Sequence, residues 1–365
     1  MKEIQEILKK VSQFGADEKA ILATVIDVVG SGYRRPGARM LIDENGYSIG
    51  TVSGGCLEAD VLEHAKKVFE TGDSTVITYD TTRDENSVFG LSMGCRGIVR
   101  ILLEKVSKEN RFFDYAESVL SARKSFSTAT LISSNLEKQK VGARLFVTDT
   151  GVVNDDFKSE VSALIIENPA LRSNESSAKL EIFDFGEVFF ETISPPLNLL
   201  LFGAGYDALP VIKFAKELGW QVTAIDHRAA FANPVRLSEA DKIIAAASEN
   251  LSDDLFLDEN SAAVIMTHNY ERDRNILRRL LHSKCVYIGA LGPKKRTEKL
   301  LEEIGETFGD EKLNRLHAPV GLDIGADSPE AIAVSVVAEI QAFLSNRNGG
   351  FLRDRQGSIY NRQPK

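Results

Sequence analysis

Short apolar runs, which predict buried strands, alternate along this chain with amphipathic stretches that have the 3.6-residue period of helices. In the first half we expect helices over 1–15, 57–69 and 112–120. We expect strands there over 21–29, 40–42, 47–52, 74–79, 97–103, 128–133, 143–148 and 179–193. The polar stretch 161–180 has little periodicity and is expected to be a surface loop. These elements predict a mixed α/β domain over residues 1–194.

The second half of the chain is organised by the stretch 195–228. Residues 197–202 form a nearly continuous apolar run, typical of a buried parallel strand, which ends at Gly203 and Gly205. A helical pattern follows, and a second apolar run then ends at Asp226, about 20 residues beyond the glycines. In dinucleotide-binding domains such a unit holds a pyrophosphate at the glycines and a ribose at the acid. Gly203, Gly205 and Asp226 are therefore candidate nucleotide ligands, the alternative being a fold that merely retains the turn.

The same alternation continues beyond this unit. Strands are expected over 242–246, 262–267 and 285–288, with a helix over 273–281. Gly292 lies in a further glycine turn that leads into a basic helix start, which makes it another candidate ligand-binding position. Ser328 followed by Pro329 is a typical helix beginning, and this helix is expected to reach residue 344. The pattern predicts a Rossmann-like, doubly wound parallel-sheet domain over 195–345, followed by a polar tail over 346–365.

Composition and charge narrow the functional classes. The 365 residues suffice for two domains, and 43% hydrophobic with 27% charged residues is typical of globular proteins. A formal net charge of -9 argues against nucleic acid or an anionic membrane as a partner. The first 15 residues form a charged amphipathic helix rather than a signal peptide, and no apolar run approaches the ~20 residues that span a bilayer. Three scattered cysteines do not make a disulfide framework, so we expect a cytoplasmic protein.

Two of the cysteines lie in glycine turns. Cys56 follows Gly54 and Gly55 at the expected start of a helix, where the partial positive charge of the helix N-terminus favours a thiolate. Cys95 lies in a second glycine turn, beside the positive charge of Arg96. Both are candidate reactive thiols, and Gly54 and Gly55 are candidates to present backbone N–H groups to a ligand. The alternative is that each cysteine is a small residue packed in a tight turn.

Other polar residues also point to an anionic ligand. Arg34, Arg35 and Arg39 flank a glycine-proline loop, and guanidinium groups bind phosphate or carboxylate in a bidentate manner. His268 ends an apolar strand, at the sheet edge where ligands of such folds bind. The alternatives are solvated surface arginines and a histidine that caps the next helix. The sequence contains neither a zinc-binding motif nor a serine-hydrolase elbow, so these residues alone do not define a reaction.

A series of ordered motifs resembles the XdhC/CoxI family of accessory proteins for xanthine dehydrogenase and related molybdenum hydroxylases. They are GSGYRRPGARMLI, SGGCLEADV, SMGCRG, PPLNLLLFGAGYDALPVI, VTAIDHR, MTHNYERDRNIL, YIGALGPKKR and HAPVGLDIGADSPEAIAVSVVAEI. The likeness runs from about residue 24 to about residue 343 and so covers both expected domains.

The resemblance implies a chaperone-like protein that binds molybdenum cofactor, supports its sulfuration and hands it to an apo molybdenum hydroxylase of the xanthine dehydrogenase type. It leads us to expect a cysteine desulfurase as a further partner and a homodimer as the working form. Cys56 matches the family's S-G-G-C-x-E turn, and Cys95 its second cysteine turn. A thiolate suits a soft metal centre, so Cys56 is also the candidate molybdenum contact.

Two departures from the family pattern bear on function. Tyr206 stands where the family commonly has histidine, so a proton-transfer role is not expected there. Arg96 follows Cys95 where the family commonly has glycine, which adds a charge for the cofactor's phosphate or indicates a different target. Two alternative functions remain: an oxidoreductase that uses NAD(H) on the Rossmann-like domain, and a cofactor-sensing binding protein. Whether the chain catalyses any step stays open at this point.

Overall fold

The computed structural model describes residues 1–80, 82, 97–137, 139–172, 177–247, 255, 258–356 and 359. The chain divides into two compact units, Met1–Pro195 and Pro196–Lys365, here called the N-terminal and C-terminal units. Cys95, one of the two thiols singled out above, lies outside the described residues together with its neighbour Arg96.

Within the described part of the N-terminal unit, the strands form two five-stranded antiparallel sheets. The first, in the order β3-β2-β1-β5-β4, contains β1 (Lys19–Gly30), β2 (Arg39–Asp43), β3 (Ser48–Gly50), β4 (Thr75–Asp80) and β5 (Gly97–Ser107). The second, in the order β8-β7-β6-β10-β9, contains β6 (Phe126–Ser134), β7 (Arg144–Thr148), β8 (Gly151–Asp155), β9 (Ser177–Phe183) and β10 (Gly186–Ile193). The helices are α1 (Lys2–Val11), α2 (Glu58–Thr71), α3 (Arg111–Ser121) and α4 (Ser159–Ile166), with a 3-10 turn at Pro169–Arg172.

Between Ala20 and Val29 the central strand β1 is apolar except at Thr24 and Asp27, because both of its faces are covered. Ile21, Ala23 and Val25 point to one side and pack in a cluster with residues of α2. Ala20 and Leu22 point to the other side and pack with residues of α1 and α3. Since successive side chains of a strand alternate between faces, a continuous apolar run is what a doubly covered strand requires.

Three arginine–glutamate pairs join the two sheets of the N-terminal unit. They are Arg39 with Glu191, Arg144 with Glu104, and Arg100 with Glu187. The first two pairs are buried, and both of their guanidinium groups lie within about 5 Å of the Phe112 ring, at 4.8 and 5.2 Å. The third pair is half-buried. Strands from different sheets are thus held by charge as well as by apolar packing.

In the described part of the C-terminal unit, six parallel strands form one sheet in the order β13-β12-β11-β14-β15-β16. They are β11 (Asn198–Phe202), β12 (Gln221–Asp226), β13 (Lys242–Ala245), β14 (Ser261–Ile265), β15 (Tyr287–Ala290) and β16 (Leu316–His317). The helices are α5 (Ala208–Glu217), α6 (Tyr270–His282), α7 (Lys294–Ile304), α8 (Asp310–Leu313) and α9 (Pro329–Leu344), and a 3-10 turn follows at Leu352–Asp354. This is the Rossmann strand order, in which the order of the strands reverses between β11 and β14 while all of them stay parallel.

The parallel sheet is covered by helices on both faces. Leu199 and Leu201 of β11 pack in a cluster with residues of α5 and α9. Leu200 and Phe202 of the same strand pack in a cluster with residues of α6 and α7. The doubly wound α/β fold expected from the sequence is therefore confirmed.

Two segments at the edge of the second sheet differ from expectation. The stretch 161–180 is not a loop, because it contains most of α4 and the start of β9. The strand β8 was not expected at all. Both β8 and β9 are edge strands with largely exposed or half-exposed side chains, so they lack the apolar alternation that marks a strand with a buried face.

Helix termini follow the sequence signals closely. The side chain of Ser328 caps α9 by accepting a hydrogen bond from the Ala331 N–H at 3.2 Å, and Pro329 is the first helical residue. Pro210 lies in the first turn of α5, where its missing N–H costs no helical hydrogen bond. Among the helices that the structure describes, none has the length and apolarity needed to cross a bilayer.

Candidate functional site

Cys56 lies in an exposed turn between β3 and α2. Gly54 and Gly55 precede it, each with a φ of +117°, a backbone conformation that side chains with a Cβ rarely adopt. Leu57, after the cysteine, is buried, and α2 begins at Glu58, so Cys56 lies just before the helix. Its thiol is exposed and forms no disulfide. The turn therefore presents a free thiol to solvent.

The carboxylate of Glu58 gathers the polar groups of this turn. It accepts hydrogen bonds from the backbone N–H groups of Ser53 at 3.0 Å, Gly54 at 3.2 Å and Gly55 at 2.9 Å. Two further backbone N–H groups donate to it, those of Val52 at 3.3 Å and Leu57 at 3.2 Å. The hydroxyls of Thr51 and Ser53 also donate to this carboxylate.

These hydrogen bonds keep Glu58 ionised. Partial burial raises its pKa, but the hydrogen bonds from Ser53, Thr51 and Gly54 outweigh burial and lower the pKa to about 2. The backbone N–H groups of Gly54 and Gly55, expected to face a ligand, are thus directed at a carboxylate of the chain itself. Sequence reasoning missed Glu58, although an acid three residues after a glycine pair, in the first turn of a helix, is a recognisable signal.

The ring of Tyr33 connects this turn to the arginine loop. A Cβ placed on Gly54 would lie 2.7 Å from Tyr33 Cδ1, so Gly54 must lack a side chain for the ring to lie there. Tyr33 also lines an open cleft, formed by residues 1, 3, 4 and 33–38, with about 680 Å³ of empty space including its mouth. The structure therefore brings the Cys56 turn and the loop that carries Arg34 and Arg35 together.

The three arginines of this loop have different surroundings. Arg34 and Arg35 are half-buried and line the cleft. Arg34 pairs with Glu3, and among the described residues its Nε has no hydrogen-bond acceptor. Arg39 instead points into the core, where its guanidinium donates to Glu191 and to the Gly37 carbonyl. We therefore leave Arg39 out of the ligand set, because its charge is committed to a buried ion pair.

In the C-terminal unit, the predicted glycine turn lies at the carboxyl ends of β11 and β14. Gly203 has a φ of +109°, and a Cβ there would lie 2.3 Å from the Met266 carbonyl oxygen. Gly205 is not among the residues with positive φ, and a Cβ there would meet the side chain of Asp207 at 2.3 Å. A glycine is thus required at position 203 because a side chain there would collide with the backbone of the chain itself. At position 205 a side chain would meet only the carboxylate of Asp207, which can move.

Asp226 is held by the chain rather than directed at an open site. Its buried carboxylate accepts the Ala204 N–H at 2.8 Å and is paired with the guanidinium of Arg228, also at 2.8 Å. Burial raises the pKa of Asp226, but the hydrogen bonds from Arg228 and Ala204 outweigh it and lower the pKa to about 2. A ribose could reach this carboxylate only by displacing Arg228.

His268 and Asp207 form a pair beside the glycine turn. The His268 Nε2 lies 2.7 Å from an oxygen of Asp207, and His268 has a left-handed backbone with a φ of +56°. The imidazole is exposed, so this residue lies where a ligand could reach it. Asp207 was not expected at the site, and the available signal was its position two residues after Gly205, just before α5.

Gly292 lies at the same sheet edge, after β15, with a φ of +125°. It opens the turn into α7, whose Arg296 pairs with the buried Asp273 at 2.7 Å. A small pocket of about 20 Å³ lies between the ends of β11 and β12 and the start of α6. Its polar lining residues are Asp226, His227, Thr267 and Arg272.

We expect substitution of Gly203 and of Gly205 to change the stability of the chain by different amounts. Gly203→Ala is expected to lower the free energy of unfolding by roughly 1–3 kcal/mol, because it forces a Cβ into a positive φ and against a carbonyl oxygen. Gly205→Ala is expected to cost less, because Asp207 can rotate away. Urea unfolding of both variants checks the order, and equal stability would contradict it.

Each of the two units contains a region that matches a known protein family. The model of the XdhC and CoxI family matches residues 14–80, and that of the XdhC Rossmann domain matches residues 199–340. A Bacillus subtilis protein named as a probable subunit of xanthine dehydrogenase is 34% identical over 325 residues, which cover 88% of this chain and 92% of that protein. The chain belongs to the XdhC and CoxI family.

Two further relatives extend this comparison. A crystal structure titled as a xanthine dehydrogenase from Bacillus halodurans matches with a TM-score of 0.79 and 30% identity, covering 95% of this chain and 97% of that one. The "Molybdenum cofactor insertion chaperone PaoD" of Escherichia coli is 23% identical over 323 residues, covering 88% of this chain and 82% of that protein.

Tyr206, which follows the glycine turn, is exposed. The guanidinium of Arg236 lies 4.6 Å from the centre of its ring, and Arg236 also donates to the Ala204 carbonyl at 2.9 Å. The position therefore offers an aromatic surface for stacking and no imidazole. Within the part of the chain that the structure describes, no three His, Cys, Asp or Glu side chains are grouped to hold a metal ion.

Proposed function

We propose that this member of the XdhC and CoxI family acts in the maturation of a molybdenum hydroxylase of the xanthine dehydrogenase type. It binds molybdenum cofactor as cargo, supports its sulfuration and inserts it into the apo-enzyme. The names of two relatives support this proposal, since one is named for xanthine dehydrogenase and the other is called a molybdenum cofactor insertion chaperone.

The observation that carries the proposal is the exposed thiol of Cys56, in a turn whose Gly54 lies against Tyr33, a residue that lines the arginine-containing cleft. Molybdenum cofactor combines a metal centre that has soft sulfur ligands with a pterin and a phosphate or dinucleotide tail. A thiolate is a suitable donor for such a metal, and guanidinium groups suit the phosphate. Cys56 would contact the metal centre, while Arg34 and Arg35 would hold the tail.

The direct test is to purify the full chain from cells that make molybdenum cofactor and from cells blocked in its synthesis. Elemental analysis should find molybdenum, and fluorescence after oxidation should find pterin, in the first preparation only. A chain that comes out of both kinds of cell without molybdenum and pterin would exclude cofactor binding of useful affinity. Cofactor that is bound but never increases the activity of a client hydroxylase would instead favour the sensing protein.

Thiol reactivity gives a second test. Cys56 is exposed, whereas Cys285 is buried, and burial raises the pKa of the Cys285 thiol to about 11. At neutral pH a small alkylating reagent should therefore modify Cys56 at least about a hundredfold faster than Cys285, because fewer than one in about a thousand Cys285 thiols is ionised. Peptide mapping over a time course measures both rates, and it also places Cys95, which we expect between them. Similar rates for Cys56 and Cys285 would contradict the prediction.

The remaining partners are part of the same proposal. A cysteine desulfurase supplies the sulfur, an apo molybdenum hydroxylase receives the cofactor, and the chain works as a homodimer in the cytoplasm. Activation of a purified apo-hydroxylase should then need the chain, the desulfurase and cysteine together. Analytical ultracentrifugation of the full chain tests the dimer.

A second candidate function is binding of NAD(H) by the C-terminal unit. The Rossmann strand order favours it. The pairing of Arg228 with Asp226 opposes it, since a ribose must compete with that pair. Calorimetric titration with NADH and with ADP decides the question, and the absence of heat for both would leave the maturation role without a nucleotide.

A further inference from the structure

The turn that carries Cys56 has few apolar contacts of its own to hold it. Gly54, Gly55 and Cys56 are all exposed, and glycine loses more conformational freedom on ordering than any other residue. Their surroundings nevertheless include five backbone N–H groups that converge on one carboxylate, that of Glu58. An anion that gathers successive N–H groups can fix a loop of this kind.

We propose that Glu58 is the positioning residue for Cys56, and that its carboxylate holds the turn so that the thiol is presented in one orientation to the cargo. What the thiol meets rests on the function proposed above. The fixing of the turn does not, because it follows from contacts within the chain.

The chemistry of the contacts requires a carboxylate at this position. An ionised carboxylate has two oxygens and accepts at about four lone-pair sites, whereas a glutamine amide has one oxygen and turns two donors towards other donors. Both oxygens of Glu58 accept hydrogen bonds: Oε1 accepts from the N–H groups of Ser53 and Gly54, and Oε2 accepts from that of Gly55. Glu58 is also the first residue of α2, where a negative charge is favourable.

The first test uses the unaltered full chain and needs no variant. Amide hydrogen exchange at pH 6 should be slowed at least tenfold for Gly54 and Gly55, relative to the intrinsic rates for their sequence, although both residues are exposed. Exchange of these two amides at intrinsic rates would overturn the proposal, since their N–H groups would then not be held by Glu58.

The second test compares Glu58→Gln with Glu63→Gln. Glu63 lies on the same helix, is exposed and contacts only Lys66 among the ion pairs of the described residues, so it is a matched control for charge. Glu58→Gln should remove the exchange protection of Gly55 and weaken that of Gly54, whose N–H also donates to the Thr51 hydroxyl at 3.2 Å. It should also lower the backbone order of Cys56 measured by 15N relaxation and reduce molybdenum cofactor retention about tenfold or more. Glu63→Gln should change none of the three.

These readouts separate the two proposals. Loss of amide protection and of order in Glu58→Gln, in a chain that never binds cofactor, would retain the positioning role and reject the proposed function. Retained protection of Gly55 and retained order of Cys56 in Glu58→Gln would reject the positioning role, whatever the cofactor measurement shows.

Discussion

Replacing Cys56 by serine is expected to remove molybdenum cofactor from the purified protein and to abolish its support of a client hydroxylase. Serine keeps the size of cysteine but is a poor ligand for a soft metal centre. The side chain is exposed, so the substitution should not disturb the core, and far-UV circular dichroism and the unfolding midpoint should match those of the parent. We expect at least a tenfold loss in molybdenum per chain, measured by elemental analysis.

Cys285→Ser is the thiol control for this experiment. Cys285 is buried in the C-terminal unit, whereas the proposed cargo site belongs to the N-terminal unit, so its substitution should lower stability without a specific loss of bound molybdenum per folded chain. If Cys56→Ser retains the cofactor and activates the client fully, Cys56 only fills a tight turn and the metal contact must be sought elsewhere, first at Cys95.

The largest stability effect is expected for Arg39→Met. The Arg39 and Glu191 side chains are only 3% and 7% exposed, and methionine would leave the Glu191 carboxylate buried without its cation. Breaking a buried pair by removing one partner typically costs about 3–5 kcal/mol, which is the loss we expect in the free energy of unfolding of the N-terminal unit. Urea denaturation followed by circular dichroism measures it, because the single tryptophan, Trp220, lies in the other unit and its fluorescence would not report this loss.

Arg100→Met provides the matched control. Arg100 and Glu187 pair across the same two sheets at 2.7 Å, but their side chains are 20% and 22% exposed and Ser133 also donates to Glu187. Water can therefore solvate the remaining charge, and a cost of no more than about 1 kcal/mol is expected. The double variant with Arg39→Met and Glu191→Leu should recover most of the loss, since it removes both buried charges. An Arg39→Met chain as stable as Arg100→Met would show that Arg39 is not a core residue.

This contrast also bears on the arginine loop. Arg34, Arg35 and Arg39 look equivalent in the sequence, which makes all three candidate ligands. The structure leaves Arg34 and Arg35 at the cleft and places Arg39 in the core, so only the first two should affect cofactor retention without a matching loss of stability.

Much of the fold could be predicted from local patterns. The doubly covered strands β1 and β11 show as apolar runs, and α5 and α9 show as helical periods with recognisable beginnings. The glycine turn of the Rossmann-like unit was found because strand, turn, helix and acid follow each other within about 30 residues. The strand β8 was missed because its side chains are largely exposed, and the helix α4 was missed because eight residues are too few to leave a clear helical period. The expected strand 179–193 is divided by a turn into β9 and β10.

The amino-acid sequence by itself determined the α/β class, the glycine turns, the family likeness and the candidate thiol, because each of these depends on residues that are close together in the chain. Only the tertiary structure decided what each polar group faces. Arg39 meets Glu191 across 152 positions, and His268 meets Asp207 across 61. A periodic pattern records whether a side chain is buried, but the partner that compensates its charge is chosen by how distant strands and turns come together.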